Sequence, residues 1–205
     1  KVYQAENKNT KELRAIKIIM LGDIKQKLEE EYSSEEANDQ LKSHISNIMN
    51  EIENMKICGD NNNNSVKYYE SFETENEFAI VMELADENLS KFTKTQKNKK
   101  LNIQEIREIL IQLNYTFKIM NEKKIIHRDL KPINILIKYK DENYKGFVVK
   151  LCDYGISKIT KEYTDAKTMN RGTKNYMAPE IMKLKEDNSY NNKCDLWSLG
   201  IIIYE

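Results

Sequence analysis

The sequence predicts an α+β fold whose strands gather in residues 1–84 and whose helices dominate residues 85–205. Three observations carry this. Residues 2–5 with 13–20, and residues 66–72 with 78–84, read as two pairs of strands, each pair joined by a polar turn. Leu41, Ile45, Ile48, Ile52 and Met55 recur at alternating steps of four and three, one face of an amphipathic helix. From Asn88 onward the pattern is helical: a short helix over Leu89–Thr95, then a long one whose apolar stripe runs Ile103, Ile106, Leu110, Leu113, Phe117 and Met120.

Between the first strands and the first helix, residues 23–40 are strongly charged, with Glu29, Glu30 and Glu31 followed by Ser33 and Ser34. They read as a solvated or disordered insert, and Ser33 and Glu36 have the spacing of a capping box. Glu51 lies three residues after Ile48 and four before Met55, so it shares their inward face, whereas Glu53 points to solvent. An acid facing a core needs a cation. Lys17, an ammonium among Ile16, Ile18 and Ile19, equally needs a partner or a ligand phosphate. The turn Asp60-Asn61-Asn62-Asn63-Asn64 is low-complexity and receives no function.

The chain has 33 Lys and Arg against 33 Asp and Glu, a formal charge of zero. No global field recruits nucleic acid or an acidic membrane, so phosphate binding must be local. Cys58, Cys152 and Cys194 have no CxxC spacing and cannot all pair, which implies a reducing compartment. No apolar run approaches the roughly 18–20 residues of a membrane span, and no signal peptide stands out. An intracellular, cytoplasmic location is expected. Lys1 opens the chain and the apolar run 197–205 stops without a cap, so both ends read as cut from a longer protein.

The densest polar cluster is Ile125-Ile126-His127-Arg128-Asp129-Leu130-Lys131-Pro132-Ile133-Asn134-Ile135-Leu136-Ile137. A carboxylate, a guanidinium, an ammonium, an imidazole and an amide crowd one loop anchored by apolar runs, the setting in which a scaffold fixes catalytic groups. Two short strands follow, over residues 135–139 and 147–152, and lead into Asp153-Tyr154-Gly155.

This loop resembles the catalytic loop of eukaryotic protein kinases, H-R-D-L-x-x-x-N, position for position. Ala15-Ile16-Lys17 resembles that family's A-I-K strand, and Asp153-Tyr154-Gly155 its D-F-G element with a tyrosine in the middle. Met82-Glu83-Leu84-Ala85 looks like its gatekeeper and hinge. Gly172-Thr173 through Ala178-Pro179-Glu180 resembles the substrate-docking segment and A-P-E, and residues 195–200 the D-x-W-S-x-G helix start. Lys131 and the Gly172-Thr173 pair resemble the serine/threonine branch. The resemblance implies a two-lobed α+β kinase fold: a β-rich N-lobe over residues 1–84 with the charged insert 23–40, then a hinge and mainly helical C-lobe over 85–205. It is truncated at both ends, since the Gly-rich loop would precede Lys1 and further helices would follow Glu205.

The resemblance also implies ATP as phosphoryl donor, Mg²⁺, and a protein serine or threonine as acceptor. Lys17, braced by Glu51, would hold the α- and β-phosphates, and Asn134 and Asp153 would ligate Mg²⁺. Asp129 would orient the substrate hydroxyl and accept its proton, while Lys131 would steady the γ-phosphate. Val2, Ala15 and Leu136 would sandwich adenine, with the backbone of Met82, Glu83 and Ala85 along its edge. Tyr68, Met55, His127 and Tyr154 fall where the family stacks a spine between the lobes. Arg128 would read a phosphate on Thr168, one of three candidate hydroxyls with Thr160 and Thr164, placed by an upstream activating kinase. Ile133 cannot pair with arginine, which argues against a strong preference for basic substrates. Cys152 reads as a small buried hydrophobe beside the nucleotide. The alternative class is a non-catalytic, pseudokinase-like binding or scaffold module. For the isolated chain it is supported by the lack of the Gly-rich loop and by Glu180, read as a buried acid whose arginine would lie beyond Glu205. That isolated chain is expected to be unstable or weakly active. A small-molecule kinase of related fold is disfavoured by the segment ending in Ala178-Pro179-Glu180.

Overall fold

The computed structural model describes residues 1–141, 146–154, 158–159, 173–182 and 191–205. Thr160, Thr164, Thr168, Gly155 and Gly172 lie outside them. The first strands are β1 (Val2–Glu6) and β2 (Leu13–Met20), and after two helices come β3 (Tyr68–Glu73) and β4 (Glu77–Glu83). They form one antiparallel sheet in the order β1-β2-β4-β3. β2 is central, which sets Lys17 between Val2 and Ile80. Ala15 and Lys17, two residues apart, face the same side of the pleat.

The charged segment differs from expectation. Residues 23–40 are helical: α1 (Leu21–Glu31) is followed by α2 (Ser34–Gly59). The reason is local, because Lys, Glu, Gln and Leu are good helix formers, and Leu21, Ile24 and Leu28 recur at steps of three and four along the inward side of α1. The capping box at Ser33 is formed in both directions: Glu36 N–H donates to Ser33 Oγ at 3.4 Å, and Ser33 N–H to Glu36 Oε2 at 3.3 Å. Leu21 and Ala37 are buried anchors in an otherwise solvated surface. Further along α2, Ile48, Glu51, Ile52, Asn54, Met55 and Cys58 are buried and Glu53 is exposed.

Next come β5 (Glu87–Asn88), α3 (Leu89–Thr95), α4 (Ile103–Glu122) and β6 (Ile125–Ile126). A 3₁₀ turn at Pro132–Asn134 leads into the hairpin of β7 (Ile135–Tyr139) and β8 (Phe147–Leu151). The remaining elements are β9 (Lys158–Ile159), α5 (Pro179–Met182) and α6 (Lys193–Tyr204). β5-β7-β8 and β6-β9 make two small sheets.

On α4 the buried face is Ile109, Leu113, Thr116 and Met120, whereas Ile103 and Leu110 of the expected stripe are exposed. Thr116 turns the helix. Its hydroxyl donates to Asn64 O at 3.0 Å and accepts from Asn62 Nδ2 at 3.0 Å, which allows a polar residue to be fully buried. The asparagine run is therefore a connector. Asn62 also donates to Cys58 O, and Asn64 Nδ2 reaches Gln112 Oε1 and Val149 O. Asn64 O accepts from Leu151 N–H. Together these bonds dock the end of α2 onto α4 and β8.

One hydrophobic core runs from Ile48, Met55 and Ile80 through Leu113, Ile135 and Val149 to Leu199 and Ile202. Glu180, expected as a buried acid, is exposed on α5 and carries no desolvation cost. Among the described residues no helix is long and apolar enough to cross a membrane.

Candidate active site

The cleft between the four-stranded sheet and the β7–β8 hairpin has a volume of about 410 Å³. All the sequence-predicted nucleotide residues line it: Val2, Ala15, Lys17, Met82, Glu83, Ala85, Asn134, Leu136 and Asp153. Glu51 lines it too, with Ile133 and Cys152. The volume lies within the usual range of small-molecule sites, with apolar walls and a few convergent polar groups. Val2 and Ala15 lie on adjacent strands of its roof and Leu136 is on β7. The Ala85 backbone N–H and C=O form no hydrogen bond among the described residues, which leaves them free for a ligand edge. A larger groove of about 830 Å³ lies behind the hinge, but Lys17, Asp129, Asn134 and Asp153 do not reach it.

At the inner end of the cleft, the Lys17 ammonium sits 2.6 Å from Glu51 Oε1 and 3.1 Å from Asp153 Oδ1. Burial pushes the lysine pKa down, but the two carboxylates overcome it and hold Lys17 above its ordinary value. For Asp153, burial is likewise outweighed by Lys17, and its carboxyl is held below the usual range. Glu51 is more enclosed and shares its single cation with Asp153, so burial wins and its pKa is raised.

A second cluster surrounds Asp129, which is 7% exposed. Its Oδ2 accepts from Lys131 Nζ at 2.5 Å and from Asn134 Nδ2 at 3.3 Å, and its Oδ1 from Thr173 N–H at 3.0 Å and Oγ1 at 2.9 Å. Lys131 Nζ also donates to Thr173 Oγ1 at 3.1 Å. Asn134 commits its amide nitrogen to Asp129, while its Oδ1 has no hydrogen-bond partner among the described residues. His127 is fully buried, with its ring 5.4 Å from that of Tyr154; Met55 shares their core and Tyr68 packs against it.

Arg128 and Asp153 both have positive φ, 69° and 63°, a conformation that disfavours side chains. Arg128 is held there by Asp195, which sequence reading treated only as a helix start. The Asp195 carboxylate accepts the backbone N–H of His127 at 2.8 Å and of Arg128 at 2.9 Å from the first turn of α6. Burial raises its pKa despite those donors. An acid inside the apolar run of α6 was the available signal, because a buried carboxylate must find donors. The Glu83 side chain was also missed: it bonds Lys138 at 2.8 Å and Lys150 at 2.9 Å. Cys152 lines the cleft wall with its thiol directed at Asn134 O, and burial pushes that thiol well up, so it is a poor nucleophile.

A lysine braced between two acids, an acid–lysine–asparagine loop on a strained backbone and an open hinge edge define the protein kinase class. The chain belongs to the protein kinase family: the family model described as protein kinase domain matches residues 1–205. Its relatives are serine/threonine kinases. It is 38% identical to serine/threonine-protein kinase TIO of Arabidopsis thaliana over 142 residues, 69% of this chain and 10% of that protein. It is 35% identical to serine/threonine-protein kinase nekl-2 of Caenorhabditis elegans over 184 residues, 84% of this chain and 45% of that protein. MAP kinase-interacting serine/threonine-protein kinase 1 of Xenopus tropicalis is 33% identical over 168 residues, 78% of this chain and 39% of that protein. The chain thus spans from a tenth to under half of the length of these relatives.

Proposed function

We propose that the chain is the catalytic domain of a serine/threonine protein kinase, moving the γ-phosphate of ATP to a protein hydroxyl, with an N-lobe over residues 1–84 and a hinge and C-lobe over residues 85–205. The observation that carries this is the convergence of Lys17, Glu51, Asn134 and Asp153 in one cleft, with Asp129 hydrogen-bonded to Asn134 beside it. In this reading adenine lies between Val2, Ala15 and Leu136, against the Ala85 backbone. Lys17 meets the α- and β-phosphates, positioned by Glu51.

The donors fit Mg²⁺, a hard cation that prefers carboxylate and amide oxygens and completes its shell with phosphate and water. Asp153 offers a carboxylate kept ionised by Lys17, and Asn134 offers a free Oδ1. When bound, the ion neutralises charge on the phosphates. Asp129 accepts the proton of the incoming hydroxyl at its carboxylate, after that hydroxyl displaces Thr173 from Oδ1. Lys131, beside the same carboxylate, offers a positive charge to the group being transferred. Activation by an upstream kinase at Thr168, read by Arg128, and residence in a reducing intracellular compartment belong to the same proposal; the free thiols of Cys58, Cys152 and Cys194 support the latter.

The test uses the full-length protein. Asp129→Asn is expected to lower kcat at least about 100-fold, the lower bound for losing a general base, with nucleotide binding retained. A variant that transfers phosphate at the parent rate would overturn the role of Asp129, and a parent protein that binds ATP but transfers no phosphate would overturn the reading in favour of a scaffold.

A further inference from the structure

Asp153 and Tyr154 are neighbours in sequence, so the backbone that turns the carboxylate toward Lys17 also turns the phenol into the core. There the Tyr154 hydroxyl meets Ser65 Oγ at 2.7 Å, and both residues are enclosed, at 0% and 1% exposure. Ser65 cannot easily follow a departing ring. It bridges Leu151 in parallel register, and on either side of it Val66 N–H bonds Leu151 O and Leu151 N–H bonds Asn64 O. A plain phenyl ring would be held by burial alone, which is non-directional. The hydroxyl adds a bond of fixed direction, and breaking it leaves Ser65 Oγ without that partner in a dry site and the phenol with only the weak thiol of Cys58. We propose that the Tyr154–Ser65 hydrogen bond is a built-in latch that makes Tyr154 a positioning residue, holding Asp153 in its strained, Lys17-facing orientation.

Tyr154 is thereby distinct from the spine role its ring shares with His127 and Met55. The latch acts on the balance between Asp153 facing Lys17 and Asp153 turned away. Losing one neutral hydrogen bond shifts such a balance by roughly three- to tenfold. The inference rests on the reading of Asp153 as a nucleotide-site residue, but it is read out without nucleotide, and its failure leaves phosphoryl transfer untouched.

The experiment is hydrogen exchange of the Cys152 backbone amide, which donates to Asn134 O immediately before Asp153, in nucleotide-free full-length protein, for the parent, Tyr154→Phe, Ser65→Ala and the double variant, across low urea concentrations. Each single variant is expected to exchange roughly three- to tenfold faster, and the double no faster than either single, because all three lack the same bond. In all four proteins the rate should be insensitive to low urea, the mark of a local opening. The latch is overturned if the rates are unchanged, if the two effects multiply in the double variant, or if exchange rises with urea as steeply as global unfolding does. The last outcome would make the bond a contributor to stability only.

Discussion

Lys17 illustrates how one charge serves two acids. Glu51 and Asp153 flank the ammonium, and a charged hydrogen bond of this kind is worth about 1.5–3 kcal/mol, equivalent to roughly 10–150-fold. Glu51→Gln preserves shape while removing the bracing charge, so Lys17 is drawn toward Asp153 and away from the phosphates. Steady-state kinetics on the full-length protein should show kcat/KM for ATP lowered by about 10–150-fold, and an unchanged value would mean that Glu51 does not position the lysine. The pairing was legible because each residue is anomalous in its own pattern: an acid on an apolar helix face and a lysine in an apolar strand. Asp195 was equally anomalous within α6, yet its partners are main-chain N–H groups of His127 and Arg128, which carry no sequence signature.

At the scale of elements, what was legible followed from periodicity, and what was missed lay where periodicity is weak. β2, α3 and the inward face of α2 stand where apolar spacing put them. Residues 23–40 hold a short stripe, Ile24 and Leu28 in step with Leu21, which the surrounding charges outweigh, so their composition suggested a solvated insert although α1 and the start of α2 are helical there. α4 shows the converse error. Counting apolar residues placed Ile103 and Leu110 inward, whereas the helix buries Thr116 because the asparagine loop offers it both a donor and an acceptor. Thr116→Val keeps the shape and removes the hydroxyl, leaving Asn62 Nδ2 and Asn64 O each short of a partner. Each keeps one other partner, Cys58 O and Leu151 N–H respectively, so urea denaturation should show a loss of about 0.5–1.5 kcal/mol, the net worth of a buried hydrogen bond. A loss within a few tenths would mean that the loop re-forms its bonds elsewhere.

Across the whole molecule, formal charge cancels, and the fold is tied together by a few buried polar groups instead of a global field. Lys150, 2% exposed on β8, joins three segments: it bonds Glu83 Oε2 of the hinge edge at 2.9 Å and the backbone oxygen of Asn63 at 2.8 Å. The enclosed groups also fix how stability responds to alkali. Burial pushes the Cys58 thiol from 9.0 up to about 12 and raises Cys152 and Cys194 as well. Burial also raises Tyr154 above 10.0, while Lys17 is raised above 10.5 by its two carboxylates despite burial. Every one of these groups binds its proton more tightly folded than unfolded. Their contribution to stability is therefore complete below the unfolded value and is lost as pH rises toward the folded one. The thiols begin this loss near pH 9, Tyr154 adds to it above 10, and Lys17 above 10.5. Each such group steepens the decline by up to about 1.4 kcal/mol per pH unit within its own window. Urea denaturation of the reduced full-length protein should thus give an unfolding free energy for this domain that falls with increasing slope from pH 9 to pH 11. Tyr154→Phe should remove only the part that begins near pH 10. A free energy that stayed level across that range would show that these side chains are hydrated in solution, and with them the interface between α2, the asparagine loop and β8 that encloses Tyr154.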